Sequence, residues 1–196
     1  VAEDASELVE IDYEDLDAQL DMETAMDKST KVIHDDLGNN LFWTRTVNQG
    51  DVSEAFKQSH IVEEVTLDFA RHTGVTLETR AIVADWDSSE EKMTIYHNGQ
   101  APHMMQSIIA KHLNLSEGLV RIISCDVGGS FGIKVHVYPD EMVTVAVSKL
   151  LKRPVKFVAD RLESYSTDIH SRCHKISGKI GVDDKGKILA FEIDDL

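Results

Sequence analysis

The sequence predicts an α+β fold of mixed sheets and packed helices, and three observations support this prediction. Short runs rich in valine, isoleucine and threonine indicate strands. Two stretches with apolar residues at helical spacing indicate helices, and the two kinds of segment mix along the chain without strict alternation. With 196 residues, 42% of them hydrophobic, the chain is long enough to bury a substantial core.

The first part of the chain is strongly acidic and contains one predicted strand. Residues 1–36 carry 13 acidic and two basic side chains, whereas the whole chain has 35 and 20. Residues 7–13 alternate apolar and acidic side chains, which is typical of a strand with one solvated face. We interpret the acidic segment 1–36 as a solvated surface, and a docking patch for a partner is the alternative.

A short helix and three strands are predicted next. Asp51 can accept hydrogen bonds from first-turn amides, so a helix is expected from there to about Gln58. Three runs rich in valine, isoleucine and threonine then predict strands at 61–69, 76–86 and 92–97.

The period of the apolar residues changes after Pro102, which is typical of the first turn of a helix. One amphipathic face is predicted from Met105, Ile108, Ile109, His112 and Leu113. A buried strand at 119–125 follows and leads into a glycine-rich loop.

The remaining elements are a helix, a strand and a hairpin. The helix is predicted at 139–151, with an apolar stripe of Met142, Val143, Ala146, Val147, Leu150 and Leu151. A strand at 155–158 comes next, and residues 173–195 are predicted to form a hairpin that turns at 183–186. The chain does not open on Met, and it closes on what reads as the end of a strand, so we expect it to be a piece of a longer polypeptide.

The glycine-rich loop is the first candidate for chemistry. Gly128, Gly129 and Gly132 follow a buried strand, where a ligand could approach backbone N–H groups closely. The spacing matches neither the dinucleotide fingerprint nor the phosphate loop, because Lys134 lies one residue too far from Gly132. On spacing alone, a plain strand-end turn and an anion- or cofactor-contacting loop both remain open.

Other candidate centres are interpreted as structural or surface features. His170, Cys173 and His174 lack a fourth ligand at matching spacing, so no metal site is predicted there. His97 and His103 flank residues 98–100 and are interpreted as polar surface, with the lining of a pocket as the alternative. No nucleophile elbow is present, and Arg80, Arg161 and Arg172 are interpreted as surface or packing arginines.

Composition limits the compartment and the partners. The net charge of −15 and a pI near 4.9 disfavour nucleic-acid binding. No apolar run approaches the ~18 residues that a membrane span needs. Cys125 and Cys173 form no disulfide framework, which favours a reducing, cytoplasmic environment.

Several segments together resemble the large subunit of the molybdenum hydroxylases, the family of xanthine dehydrogenase, aldehyde oxidase and aerobic carbon monoxide dehydrogenase. The main ones are Asn98-Gly99-Gln100-Ala101-Pro102-His103, the strand at 119–123, and Asp126-Val127-Gly128-Gly129-Ser130-Phe131-Gly132-Ile133-Lys134. Residues 77–80 and 153–163 look similar to the same family. Residues 7–16 resemble the last part of the hammerhead domain, so 1–36 is predicted to be the end of that domain with a linker. Residues 37–196 are predicted to be the first part of the molybdopterin-binding domain.

The resemblance implies an activity, a cofactor and site residues. Family members bind molybdopterin, often as its cytosine dinucleotide, with molybdenum. They hydroxylate a carbon with oxygen from water and pass electrons to iron–sulfur and flavin centres on other domains or subunits of an oligomeric enzyme. The resemblance places Gln100, Phe131 and Gly132 near the molybdenum oxo ligand, without direct metal ligation, and adds Gly128 and Gly129 to the cofactor-binding residues.

The chain also departs from the family pattern. Val135 stands where purine-oxidising members usually carry a glutamate, so a purine substrate is disfavoured, whereas an aldehyde, an N-heterocycle and carbon monoxide remain open. The resemblance places the catalytic glutamate beyond Leu196, so no catalytic residue is assigned here and the 196-residue chain alone is expected to be inactive. The alternative is a non-catalytic binding module that shares the fold and docks through its acidic segment.

Overall fold

The computed structural model describes the backbone of residues 1–196 and every side chain except that of Glu3. The helices are α1 (Ala2–Ser6), α2 (Val52–Lys57), α3 (Pro102–Leu113), α4 (Pro139–Leu151) and α5 (Arg161–Thr167). The strands are β1 (Ile61–Phe69), β2 (Ala81–Asp87), β3 (Lys92–His97), β4 (Val120–Ile123), β5 (Val155–Val158), β6 (His174–Val182) and β7 (Ile188–Asp195). Short 3-10 turns lie at Asp35–Leu37, Glu117–Leu119 and Ile133–Val135. The predicted α+β class is confirmed.

The chain divides into two compact units. One comprises residues 1–68 and 174–196, which we call the split unit, and the other comprises residues 69–173, which we call the central unit. Among the described residues, every helix is too short or too polar to cross a lipid bilayer.

The split unit is built around a three-stranded sheet in the order β1-β6-β7. The β6 and β7 strands pair in antiparallel register from Ile176 opposite Asp195 to Val182 opposite Ile188. Helix α2 packs against both strands, and Asp51 caps its start by accepting the Glu54 N–H at 2.9 Å. This helix start and the C-terminal hairpin were both predicted correctly.

The central unit is built around a four-stranded sheet in the order β4-β3-β2-β5. The β2 strand runs antiparallel to β3 and β5, whereas β3 and β4 are parallel. Helix α3 packs against β4, and α4 packs against β2 and β5. The core between these layers consists of buried apolar side chains, chiefly Ile82, Ala84, Met93, Ile95, Met105, Ile109, Val120 and Val145.

Three strand predictions and one helix prediction match the structure, and two strand predictions differ from it in their bounds. The predictions at 61–69, 92–97 and 155–158 match the observed bounds, and so does the helix at 139–151. The strand predicted at 76–86 begins only at Ala81, because the Thr76 hydroxyl donates to the Glu78 carbonyl at 2.6 Å and turns the chain there. The strand predicted at 119–125 is shorter and spans Val120–Ile123.

The predicted strand at 7–13 is wrong. Residues 9–13 have no regular structure, and all seven residues are exposed. An isolated strand is not stable in water, because its N–H and C=O groups need a neighbouring strand. None of the strands that the structure describes pairs with this segment.

The predicted buried faces of the two long helices need correction. In α4, Val143 and Leu150 are 59% and 78% exposed, whereas Glu141, Val145 and Ser148 are buried. Apolar periodicity missed this face because two of its members are polar side chains with specific hydrogen-bond partners. In α3, His112 is exposed and Ala110 is buried.

Helix α5 was not predicted. Its start carries a capping box in which Asp160 accepts the Glu163 N–H and the Glu163 side chain accepts the Asp160 N–H, both at 2.7 Å. The spacing of an acidic cap with a glutamate three residues later is a readable signal in the sequence.

Candidate functional site

The glycine-rich loop follows β4 and adopts an unusual backbone conformation. Gly129 and Gly132 have φ angles of +96° and +94°, and Phe131 has +51°. A non-glycine residue in the left-handed region is uncommon and is enriched at functional sites. The Phe131 side chain is also 80% exposed, so packing in this chain does not account for its conformation.

Three successive N–H groups of this loop are unused. Among the hydrogen bonds of the described residues, none has the N–H of Gly129, Ser130 or Phe131 as its donor. Successive N–H groups in turn conformations form concavities that bind anions. The loop can therefore donate hydrogen bonds to an oxygen-rich, negatively charged group.

Gln100 lies against the same loop, although 32 residues separate it from Gly132 in the chain. Its side-chain Oε1 accepts the Gly132 N–H at 3.3 Å, and its backbone N–H donates to the Lys134 carbonyl at 3.2 Å. The Gln100 side chain is exposed. The structure thus brings Gln100 and Gly132 together, with the Gly132 N–H donated to the Gln100 side chain.

Gly128 is hydrogen-bonded to Glu78, which also pairs with Lys134. Glu78 Oε2 accepts the Gly128 N–H and the Lys134 ammonium, each at 2.7 Å. A Cβ on Gly128 would lie 2.5 Å from the Glu78 Cβ, so only glycine fits at this close approach. The hydrogen bond from Lys134 is the main cause that lowers the pKa of Glu78, and it outweighs the effect of burial.

Lys134 and Glu78 are the site residues that sequence reasoning missed. Lys134 is 2% exposed and belongs to the loop segment itself, where it is the only cation in the run from 126 to 134. A lysine at the end of a glycine loop implies a nearby carboxylate when the lysine is buried. Burial of Lys134 and the identity of its partner were not readable from spacing.

A buried arginine cluster supports the turn that follows the loop. Arg80 pairs with both Asp140 oxygens at 2.6 and 2.8 Å and with Asp168 at 2.7 Å. Its guanidinium lies 3.8 Å from the centre of the Tyr138 ring, and the Tyr138 hydroxyl donates to the Ile133 carbonyl at 2.8 Å. Arg80 is therefore a packing arginine, and it is connected to the turn at Ile133 through Tyr138.

The surroundings of Arg80 and Tyr138 hold both side chains in their protonated forms. Burial lowers the pKa of Arg80, but its hydrogen bonds to Asp140 and Asp168 raise the pKa by more, so the guanidinium stays charged. The pKa of Tyr138 is raised, mainly by burial, which keeps its hydroxyl protonated as a hydrogen-bond donor.

His97 was predicted to be polar surface, and that prediction is wrong. Its residue is 6% exposed, and its Nε2 lies 3.1 Å from Glu141 Oε1. His103 is exposed and lines a cleft that runs along β4. The error has a physical origin, because a histidine that pairs with a buried carboxylate carries no periodic signal of burial.

The donors of this site are amides, not metal ligands. Within the described part of the chain, no three His, Cys, Asp or Glu side chains are grouped so that they could hold a metal ion. Cys125 and Cys173 are free thiols on the surface. The loop and Gln100 offer N–H groups and a carboxamide, which can bind and orient an oxygen-bearing group without adding charge.

Comparison with known proteins agrees with this chemistry. The molybdopterin cofactor-binding domain family matches residues 33–196. The gamma subunit of the 6-hydroxypseudooxynicotine dehydrogenase complex of Paenarthrobacter nicotinovorans is 34% identical over 98% of this chain and 24% of its own length. The carbon monoxide dehydrogenase large chain of Hydrogenophaga pseudoflava is 29% identical over 98% of this chain and 26% of its own length.

Solved structures share the fold. Quinoline 2-oxidoreductase from Pseudomonas putida 86 aligns with a TM-score of 0.90 and 27% identity over 99% of this chain and 25% of that chain. The chain therefore spans about a quarter of the length of these relatives.

The comparisons support the hydroxylase interpretation, and none of them favours the alternative of a non-catalytic binding module. The matched family covers the glycine-rich loop, Gln100 and the residues that hold them in place. The chain belongs to the molybdopterin cofactor-binding domain family, which is found in the large subunits of the molybdenum hydroxylases.

Proposed function

We propose that this chain forms part of the cofactor site of a molybdopterin-dependent hydroxylase. The enzyme would hydroxylate a carbon atom of a small substrate with oxygen derived from water and pass the electrons to iron–sulfur and flavin centres. The observation that supports the proposal most directly is the row of three unused N–H groups beside the Gln100 carboxamide.

The residues of the site fit this cofactor. The N–H groups of Gly129, Ser130 and Phe131 would donate to its oxygen atoms, and the Gln100 carboxamide would orient the oxo ligand. Gly128 belongs to the same cofactor-binding set, and its contact with Glu78 keeps the loop in place. When bound, molybdopterin supplies the two-electron redox chemistry, whereas this chain supplies binding and orientation.

An anionic cofactor would account for the use of backbone N–H groups as the hydrogen-bond donors of the loop. An N–H group carries only a partial positive charge, so it can bind an oxygen atom without forming a fixed ion pair. The cation of the loop segment, Lys134, is paired with Glu78. The loop therefore presents directional donors, and the full charge beneath it is already paired.

The wider assembly is part of the proposal. We expect partner domains or subunits that carry iron–sulfur and flavin centres, an oligomeric enzyme and a cytoplasmic location. Residues 1–36 would end the preceding hammerhead domain, and 37–196 would begin the cofactor domain. Val135 disfavours a purine substrate, and the catalytic glutamate would lie outside this chain.

The test uses the intact protein that contains this chain. We expect molybdenum in stoichiometric amount by elemental analysis, and oxidation of an aldehyde, an N-heterocycle or carbon monoxide with an artificial electron acceptor. Gln100→Ala should lower kcat on the order of 100-fold, as the loss of one oriented donor does in other enzymes. Its melting temperature should stay near that of wild type, because Gln100 is exposed.

Gln58→Ala is the matched control. Gln58 is also exposed, and its side chain makes one weak contact with Glu54 at 3.3 Å, in the split unit. We expect wild-type molybdenum content and activity in this variant. A wild-type protein that contains no molybdenum would refute the proposal, and an equal loss of activity in both variants would remove the role of Gln100.

A further inference from the structure

The buried His97 side chain has one hydrogen-bond partner, and this partner fixes the orientation of its ring. Nε2 lies 3.1 Å from Glu141 Oε1. The other Glu141 oxygen accepts the Tyr138 N–H at 3.2 Å, and Oε1 lies 3.5 Å from Arg80 Nη1. The Tyr138 N–H and Arg80 fix the position of the Glu141 carboxyl group, and its contact with Nε2 orients the His97 ring. Nδ1 has no partner in the part of the chain that the structure describes.

The His97 ring occupies the space beside Gly99. A Cβ placed on Gly99 would overlap the Nδ1 and Cε1 atoms of the ring, and the next neighbour would be the Lys134 carbonyl oxygen at 3.2 Å. The Gly99 φ angle is not in the left-handed region. Gly99 is therefore glycine because of the ring that packs against it, and not because of its backbone conformation.

This contact is one of several that hold the turn at Asn98–Gln100. The Asn98 carboxamide donates to the Thr79 carbonyl at 2.7 Å and accepts the Ala81 N–H at 3.0 Å. The Gln100 N–H donates to the Lys134 carbonyl at 3.2 Å. The His97 ring packs against Gly99. The backbone that leads to Gln100 is therefore held by contacts from several segments of the chain.

We propose that His97 is a positioning residue, which Glu141 orients and which holds the Gly99–Gln100 backbone so that the Gln100 carboxamide meets the glycine-rich loop. This inference rests on the proposed function, because it names the residue that sets the geometry of the same site. The hydrogen bond of the His97 ring goes to Glu141 and not to the glycine-rich loop. Its effect on Gln100 passes through Gly99.

The experiment is a double-variant cycle in the intact protein with His97→Ala, Gly99→Ala and the combination of both. The first readout is hydrogen exchange of the Gln100 amide, which requires no molybdenum. Each single variant should speed exchange about tenfold, the effect expected for weakening one hydrogen bond in its context. The double variant should exchange more slowly than Gly99→Ala, because removal of the ring makes room for the added Cβ.

The second readout is the molybdenum electron paramagnetic resonance spectrum. We expect His97→Ala to retain molybdenum and to show a shifted spectrum, which a loss of overall stability would not produce. Gly118→Ala is the matched control for Gly99→Ala, because its Cβ would meet only the Ser116 hydroxyl at 3.9 Å. That control should leave both readouts at the wild-type values.

The outcomes separate this inference from the proposed function. Additive effects in the cycle, or unchanged exchange of the Gln100 amide in both single variants, would overturn the inference. If Gly99→Ala does not fold, the double variant should fold, and its failure to do so would overturn the inference as well. Wild-type protein without molybdenum would refute the proposed function, whereas the exchange cycle would still decide whether His97 positions Gln100.

Discussion

The two units of the chain differ in what their sheets bury. In the central unit, alternate residues of β2 and β3 are buried, including Ile82 and Ile95 at 1% and 0% exposure. In the split unit, every residue of β1 is exposed, and Ala190 is the buried member of β7. Both sheets are nevertheless formed by sequences with the same preference for β-branched residues.

The difference shows that strand formation and core formation depend on different information. Strands follow local preference and turn signals, so the strands of both sheets were predicted from the sequence, whereas their order in the sheets was not. Burial depends on what packs on the sheet, and only the central unit has two long helices against its sheet. The central unit also buries charge, which the split unit does not do among its described side chains.

The largest expected effect comes from removing the buried cation of the central unit. Arg80→Met would leave Asp140, Asp168 and Glu141 without their shared partner. Breaking a buried ion pair in this way lowers the free energy of unfolding by about 3–5 kcal/mol. Chemical denaturation of the intact protein measures the loss.

Arg71→Met is the matched control for this prediction. Arg71 lies in the same unit and is exposed, so its substitution should change the free energy of unfolding by less than about 0.5 kcal/mol. If both variants lose the same free energy of unfolding, the buried arginine cluster does not stabilise the central unit.

The next effect compares the two sheets directly. Ile95→Ala empties a fully buried position in β3 and should lower the free energy of unfolding by about 2–5 kcal/mol. Ile193→Ala changes a residue of β7 that is 55% exposed, so its loss should be smaller than about 1 kcal/mol. Denaturation of both variants of the intact protein tests the contrast, and it fails if Ile193→Ala is as destabilising as Ile95→Ala.

The secondary structure was largely predictable, but the burial of polar side chains was not. Helix α4 was predicted with its observed bounds, yet the wrong face was assigned to the core. Glu141 and Ser148 are buried because they bond to His97 and to β2, and those partners are 44 and 64 residues away in the chain. Periodicity detects apolar faces and contains no information about such long-range pairs.

The site shows the same limit. Gln100 and the loop were found from their resemblance to a family, whereas spacing alone left the loop open between a turn and a ligand contact. The supports of the site, Glu78 and His97, act through contacts that join distant segments of the chain. Their residue types are common, so only the fold distinguishes them from surface side chains.

The smallest expected effect on stability separates backbone conformation from function. Gly132 in the loop and Gly186 in the β6–β7 turn have φ angles of +94° and +81°, and a Cβ at either position would meet no atom within 4 Å. Alanine at each position should therefore lower the free energy of unfolding by a similar amount, about 1 kcal/mol, through the left-handed conformation alone. Only Gly132→Ala should also reduce the molybdenum content, because it disturbs the backbone whose N–H contacts Gln100. Elemental analysis of the two purified variants decides the matter: equal molybdenum in both would mean that the loop conformation serves the fold and not the cofactor.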